Sequence, residues 1–166
     1  MENILIAISK SVAVAAYVHD HEALRILSGT DGISIQKYEQ INLQPFIDCG
    51  LLIVVTPESD AENTTFVNFA TALDDGEAIT GAMAVHRNWA IASDDRKAAS
   101  FFNQHVPHLQ VISTPELIKH WVDTASPSLE KIRLALQKIR VKARYEPPLR
   151  HKLYLWWQKH KNGDNL

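Results

Sequence analysis

The strongest constraint on this chain is a pair of acidic clusters held apart by one helix-like and one strand-like segment. The first cluster reads Leu73-Asp74-Asp75-Gly76-Glu77-Ala78 and the second Ala92-Ser93-Asp94-Asp95-Arg96-Lys97. Between them Ile79, Ala82, Met83 and Val85 recur at helical spacing, and Trp89-Ala90-Ile91-Ala92 is a strand-like run. A helix over 77–88 rises roughly 18 Å, at about 1.5 Å per residue. A strand over 89–93 returns roughly 16 Å, at about 3.3 Å per residue. The matched lengths predict that Glu77 comes back beside Asp94 and Asp95 at the C-terminal edge of a sheet, where open α/β folds place their sites. Crowded carboxylates repel unless a proton or a cation lies between them. A hard divalent ion, Mg²⁺ or Mn²⁺, suits such oxygen donors.

The rest of the chain alternates in the same way. Residues 2–9 read as a short helix or a strand, and 11–16 as a buried strand, followed by a helix near 21–27 and a loop over 28–32. Residues 33–43 alternate loosely, as in a small hairpin arm. A short helix over 43–49 ends at Gly50, and Leu51-Leu52-Ile53-Val54-Val55 has the continuous apolar character of a strand buried on both faces. Ser59-Asp60-Ala61-Glu62 is a capping box opening a helix that carries Phe66 and Phe69. Further elements are expected as a helix over 96–105, a strand over 109–113, a helix over 115–122 with Pro115 at its first turn, a basic amphipathic helix over 129–143 and a last helix over 151–161. Strands alternating with helices predict an α/β fold with a parallel sheet covered on both faces.

At 166 residues the chain is long enough to bury one real core. A single cysteine, Cys49, excludes an internal disulfide and suits a reducing compartment. No leader pattern and no run of membrane-spanning length occurs, so a soluble, cytoplasmic protein with no membrane partner is expected. The net charge of −2 hides an asymmetry. Residues 1–128 balance at −9 and residues 129–166 at +7. The acidic part suits metal and the basic tail suits phosphate; a solvated amphipathic helix on an acidic body explains the same charges.

Each acid has a structural alternative. Asp74 or Asp75, and Asp94 or Asp95, could cap the helices that follow them, and Glu77 could simply sit in a first helical turn. His19-Asp20-His21-Glu22 resembles a ligand set but reads equally as a polar helix start. Ser93 could bind phosphate, orient a carboxylate or merely end a strand. Trp156 and Trp157 could stack on bases or seal a helix against the core. No phosphate loop, nucleophile elbow or zinc cysteine pair is present.

Leu73-Asp74-Asp75-Gly76-Glu77-Ala78-Ile79, then Trp89 through Ala98, then Val111-Ile112-Ser113-Thr114, resemble the second half of a PIN domain, with the likeness running over roughly residues 10–123. That resemblance implies a three-layer α/β/α domain with a parallel sheet and Mg²⁺- or Mn²⁺-dependent hydrolysis of RNA, the activity of the many PIN domains that are toxins of toxin–antitoxin pairs. Carried over by position, Glu77, Asp94 and Asp95 would be the metal-holding and catalytic acids. Ser93 and Arg96, with Lys138, Arg140, Lys142 and Arg144 from the basic tail, are the candidate RNA-binding residues. PIN domains open with a strand ending in aspartate, whereas this chain has no Asp before Asp20. The expectation is therefore a PIN-like domain over 1–125 that lacks that strand and its acid, with a basic helical extension over 126–166. RNA, an antitoxin protein and a second copy of the chain are the expected partners. The alternative is a degenerate PIN fold that binds RNA or protein without cutting.

Overall fold

A computed structural model of the chain describes residues 2–8, 11–22, 25–30 and 36–162. The elements run α1 (Glu2–Ala7), β1 (Val12–Ala15), α2 (Ala16–His21), β2 (Arg25–Thr30), β3 (Gln36–Gln40), α3 (Gln44–Asp48), β4 (Leu52–Val55), α4 (Asp60–Phe69), α5 (Asp75–Arg87), β5 (Ile91–Ala92), α6 (Arg96–His105), β6 (Val111–Ile112), α7 (Thr114–Ala125), α8 (Leu129–Lys138), a π-helical turn (Ile139–Ala143) and α9 (Tyr154–Asn162). The fold is mixed α/β and mostly helical, as the alternation predicts. Its contacts divide it into two compact units. The first is Met1–Glu22 with Leu43–Leu117, and the second is Ala23–Asn42 with Ile118–Leu166.

In the first unit the apolar runs pair in parallel. β1 lies beside β4, Val12 opposite Leu52 and Ala15 opposite Val55. β5 lies beside β6, Ile91 opposite Val111 and Ala92 opposite Ile112. Among the described residues these are two separate two-stranded pairs in which β4 has one strand neighbour, and β4 is not buried on both faces: Ile53 and Val54 are 40% and 41% exposed. The core of this unit lies between helices, where Leu73, Ala78, Ala84, Ile91, Ala98, Phe102, Val106 and Leu109 form one buried cluster. Phe69, Phe101 and Phe102 meet edge to face at centroid distances of 5.3–5.8 Å. Gly81 makes this packing possible, since a Cβ there would lie 2.4 Å from Cζ of Phe102.

A buried ion pair ties this unit together. The Ser59 cap forms as expected, its Oγ accepting from the Glu62 backbone N–H at 3.2 Å. The Glu62 side chain turns away from solvent: its Oε2 accepts from the Glu58 N–H at 2.6 Å, and its Oε1 accepts from Nε of Arg87 at 2.6 Å. Arg87 also donates to the Thr56 carbonyl at 2.7 Å and lies 5.1 Å from the Trp89 ring. Arg87 beside it holds the Glu62 carboxyl down at about 2, against the opposing effect of burial.

The second unit differs more from expectation. The helix expected over 21–27 ends at His21, and Arg25–Thr30 is instead a strand, antiparallel to Gln36–Gln40 with an irregularity between Leu27 and Gly29. Cross-strand pairing overrides the local helical pattern there. Residues 28–30 of the expected loop belong to that strand, while 31–35, including the first part of the expected hairpin arm, lie outside the described residues. The long basic helix stops at Lys138 and continues as a π-turn to Arg144, whose φ of +52° ends it. Ile118, Trp121, Ile132, Leu136 and Trp157 are the buried apolar residues of this unit.

Candidate functional site

The acidic clusters are placed by three helix starts and a strand end. Asp74 is the N-cap of α5 but makes no side-chain cap bond. Glu77 is half-buried, and its carboxyl is pushed up by that burial first and then by the negative charge of Asp95; the Asp74 backbone pulls it down by more than the Asp74 charge raises it, and Lys97 pulls it down least. Helix α5 and strand β5 thus return Glu77 to the neighbourhood of Asp95, as the matched lengths predict.

Asp95 is the N-cap of α6, with Oδ1 accepting from the Ala98 N–H at 2.8 Å. Ser93 holds it from behind: Ser93 Oγ accepts from the Asp95 N–H at 3.1 Å, while the Ser93 N–H donates to the Ile112 carbonyl at 3.0 Å across the β5–β6 pair. Asp94 is aimed elsewhere, its Oδ1 accepting from the Thr114 N–H at 3.0 Å at the start of α7. The structure therefore brings Glu77, Asp95 and Asp74 into one electrostatic neighbourhood and gives Asp94 a bond to the next helix. Arg96 is exposed in the first turn of α6.

Both readings of these acids have support. Asp95 and Asp94 each accept a backbone N–H at a helix start, as capping requires. Burial and Asp95 together penalise the charge on Glu77, and a cation would relieve that penalty. Among the described residues no group of three or more His, Cys, Asp or Glu side chains is arranged to hold a metal ion. Glu77 and Asp95 are thus the part of the expected donor set that converges.

A cleft beside this corner joins the end of the His19-Asp20-His21-Glu22 run to the first acidic cluster. About 400 Å³ in volume, it is lined by Tyr17, His21, Glu22, Asp74, Asp75 and Gly76. The Tyr17 hydroxyl donates to Asp75 Oδ2 at 3.1 Å, which raises the Tyr17 pKa. A Cβ on Gly76 would fall 1.7 Å from Glu22 Oε1, so only glycine lets that carboxylate lie on the first turn of α5. A glycine inside a first helical turn was the one signal of this contact in the sequence. The buried Glu62–Arg87 pair also went unsignalled, because a capping-box Glu explains itself locally.

The basic candidates lie in the second unit. Arg140 pairs with Glu146 at 3.5 Å and Lys142 with Glu39 at 3.3 Å. Lys138 and Arg144 are exposed, with no ion pair to a described residue. Trp157 is fully buried and seals its helix, whereas Trp156 is half-buried, its ring against His160 at 4.3 Å and Lys119 at 5.9 Å. Among the described residues no helix is long and apolar enough to cross a membrane. No family model, curated protein or solved structure matches the chain.

Proposed function

We propose that the protein is a PIN-like α/β/α nuclease that hydrolyses RNA with the help of Mg²⁺ or Mn²⁺. One observation carries this reading: Glu77 is half-buried in the neighbourhood of Asp95, and burial and that neighbouring charge both disfavour its carboxylate form. Glu77, Asp94 and Asp95 would hold the ion, directly or through water. Such an ion supplies bound water of lowered pKa and neutralises charge on the phosphate. The chain's own part is positional. Ser93 fixes the backbone of Asp95, and Arg96 is a first cation for an RNA strand reaching the corner. Lys138, Arg140, Lys142 and Arg144 add backbone affinity by neutralising phosphates. An antitoxin and a second copy remain the partners of this proposal, read out by sedimentation with and without residues 126–166.

The test is Mn²⁺ titration calorimetry together with cleavage of single-stranded RNA, on the full chain and on Asp95→Asn and Glu77→Gln. Asn caps a helix about as well as Asp, so Asp95→Asn is expected to keep the circular dichroism of the parent while losing both metal binding and cleavage. Cleavage that survives Asp95→Asn overturns the reading. A second reading is a degenerate PIN fold that binds without cutting. It draws on the bonds by which Asp94 and Asp95 already serve helix starts, and it is favoured if neither parent nor variant takes up Mn²⁺.

A further inference from the structure

Within the second unit one carboxylate oxygen does what a phosphate oxygen would do. Glu146 Oε1 lies 3.0 Å from Nζ of Lys161 and 3.5 Å from Nε of Arg140. The two cations come from different elements, α9 and the π-turn, and this single anionic oxygen serves both. The mount is firm. Tyr145 packs edge-on against buried Trp157 at 6.1 Å, and Pro147 on the other side of Glu146 is buried. A second acid repeats the pattern, with Glu39 of the hairpin holding Lys142 at 3.3 Å. This happens in the stretch of chain, residues 129–166, whose charge balance is +7 and which contains only three acids.

We propose that the Arg140–Lys161 pair is a phosphodiester-binding site that Glu146 fills internally, and that Glu146, with Glu39 as a weaker second, restrains RNA binding on the basic face. The proposal rests on the RNA-binding part of the function proposed above and names the contact. All these pairs are at least partly solvent-exposed, and exposed ion pairs are worth little and exchange readily. A phosphate can therefore displace the carboxylate, but part of its binding free energy goes into breaking the internal pair. Lys138 and Arg144, which have no such partner among the described residues, make the first contact, and Arg140, Lys142 and Lys161 are recruited only by exchange. Removing the carboxylate charge should then strengthen binding.

The experiment is fluorescence anisotropy of a labelled single-stranded RNA, in EDTA so that no cleavage occurs, at a series of KCl concentrations. Glu146→Gln is compared with Glu130→Gln, which removes the same charge from an exposed position of α8 that has no ion pair with a described residue. Glu146→Gln is expected to bind about threefold tighter than Glu130→Gln, the scale of one lost competing surface pair. Its salt slope should steepen by about 0.7, one further phosphate on a single strand. Lys161→Gln should weaken binding, and DNA of the same sequence should show the same ordering, since the contact reads phosphodiester and not sugar. Equal affinities for Glu146→Gln and Glu130→Gln overturn the proposal, as does a parent and Glu146→Gln pair that binds no RNA. The cleavage reading fails separately, by Asp95→Asn, because no divalent ion enters the anisotropy measurement.

Discussion

Two glutamates in this chain each hold an arginine, and they do opposite work. Glu62 is 3% exposed and grips Arg87 at 2.6 Å, with the Glu58 N–H as a further donor. Glu146 is partly exposed and is shared by Arg140 and Lys161 at 3.5 and 3.0 Å. In the first unit the pair has left water, so neither charge can be given up without stranding the other. In the second, water and salt stand ready to replace either partner. Burial, and not the identity of the residues, decides whether an acid–base contact is a fastening or an exchangeable cover.

The most severe way to break the contrast is to remove Arg87. Arg87→Met leaves Glu62 buried with the Glu58 N–H as donor and no cation, and should cost about 3–5 kcal/mol in denaturant unfolding. The double variant Glu62→Leu/Arg87→Met should recover most of that loss, because a buried pair is often replaceable by apolar packing. The pH dependence sharpens the same point. Glu62 has a folded pKa of about 2 against an ordinary value of 4.5. A carboxyl depressed on folding contributes stability that is present above its unfolded pKa and is lost as pH falls through the window between them. Parent protein should therefore lose stability from about pH 5 down towards pH 2, and the double variant should lose less over that range.

Why the fastening was invisible in the sequence, and the acidic corner was not, follows from sequence distance. The helix over 77–88, the strand near 91 and the helix over 96–105 are consecutive, so rise per residue alone predicts that Glu77 meets Asp95. The exact span of α6 and the Ser59 cap were legible for the same reason, since caps and periodicity are local. Glu62 and Arg87 lie on separate helices, and nothing local marks their contact. The hairpin β2–β3 failed for a related reason. Arg25 to Thr30 adopts strand geometry through pairing with 36–40, a non-local partner that a helical pattern near 21–27 cannot anticipate. The continuous apolar run Leu51–Val55 promised a strand buried on both faces, and forms one member of a two-stranded pair with Ile53 and Val54 exposed. A run can report its own hydrophobicity but not how many neighbours will cover it.

Glu77 is intermediate between the two glutamates, half-buried and without a cation of its own. Its carboxyl is raised by burial and by Asp95. A group raised on folding contributes its stability below the unfolded pKa and loses it as pH rises through the folded value. Glu77→Gln should therefore be more stable than the parent at neutral pH, by about 1 kcal/mol or less, with the advantage vanishing in acid; thermal melts at several pH values read this directly. Gln keeps a hydrogen-bond acceptor at the N3 position of α5. The same substitution should abolish Mn²⁺ uptake. A site residue that costs stability and is needed for binding is the usual signature of function held against the fold. If Glu77→Gln destabilises at neutral pH, Glu77 is only a cap.

The smallest expected effect sits at the exposed end of the comparison. Glu146→Gln removes the anionic partner of both Arg140 and Lys161, yet its cost in unfolding free energy should stay below about 1 kcal/mol, since both contacts are solvated and screened. That cost should shrink further in high salt, whereas the Arg87→Met loss should change less, because the Glu62–Arg87 pair is largely buried and screened far less than an exposed one. Denaturant melts of the two variants at low and high KCl would measure both. If Glu146→Gln instead loses several kcal/mol that salt does not relieve, then Glu146 is a fastening of the second unit like Glu62 in the first. The cations it holds would then be committed to the fold and unable to exchange onto phosphate.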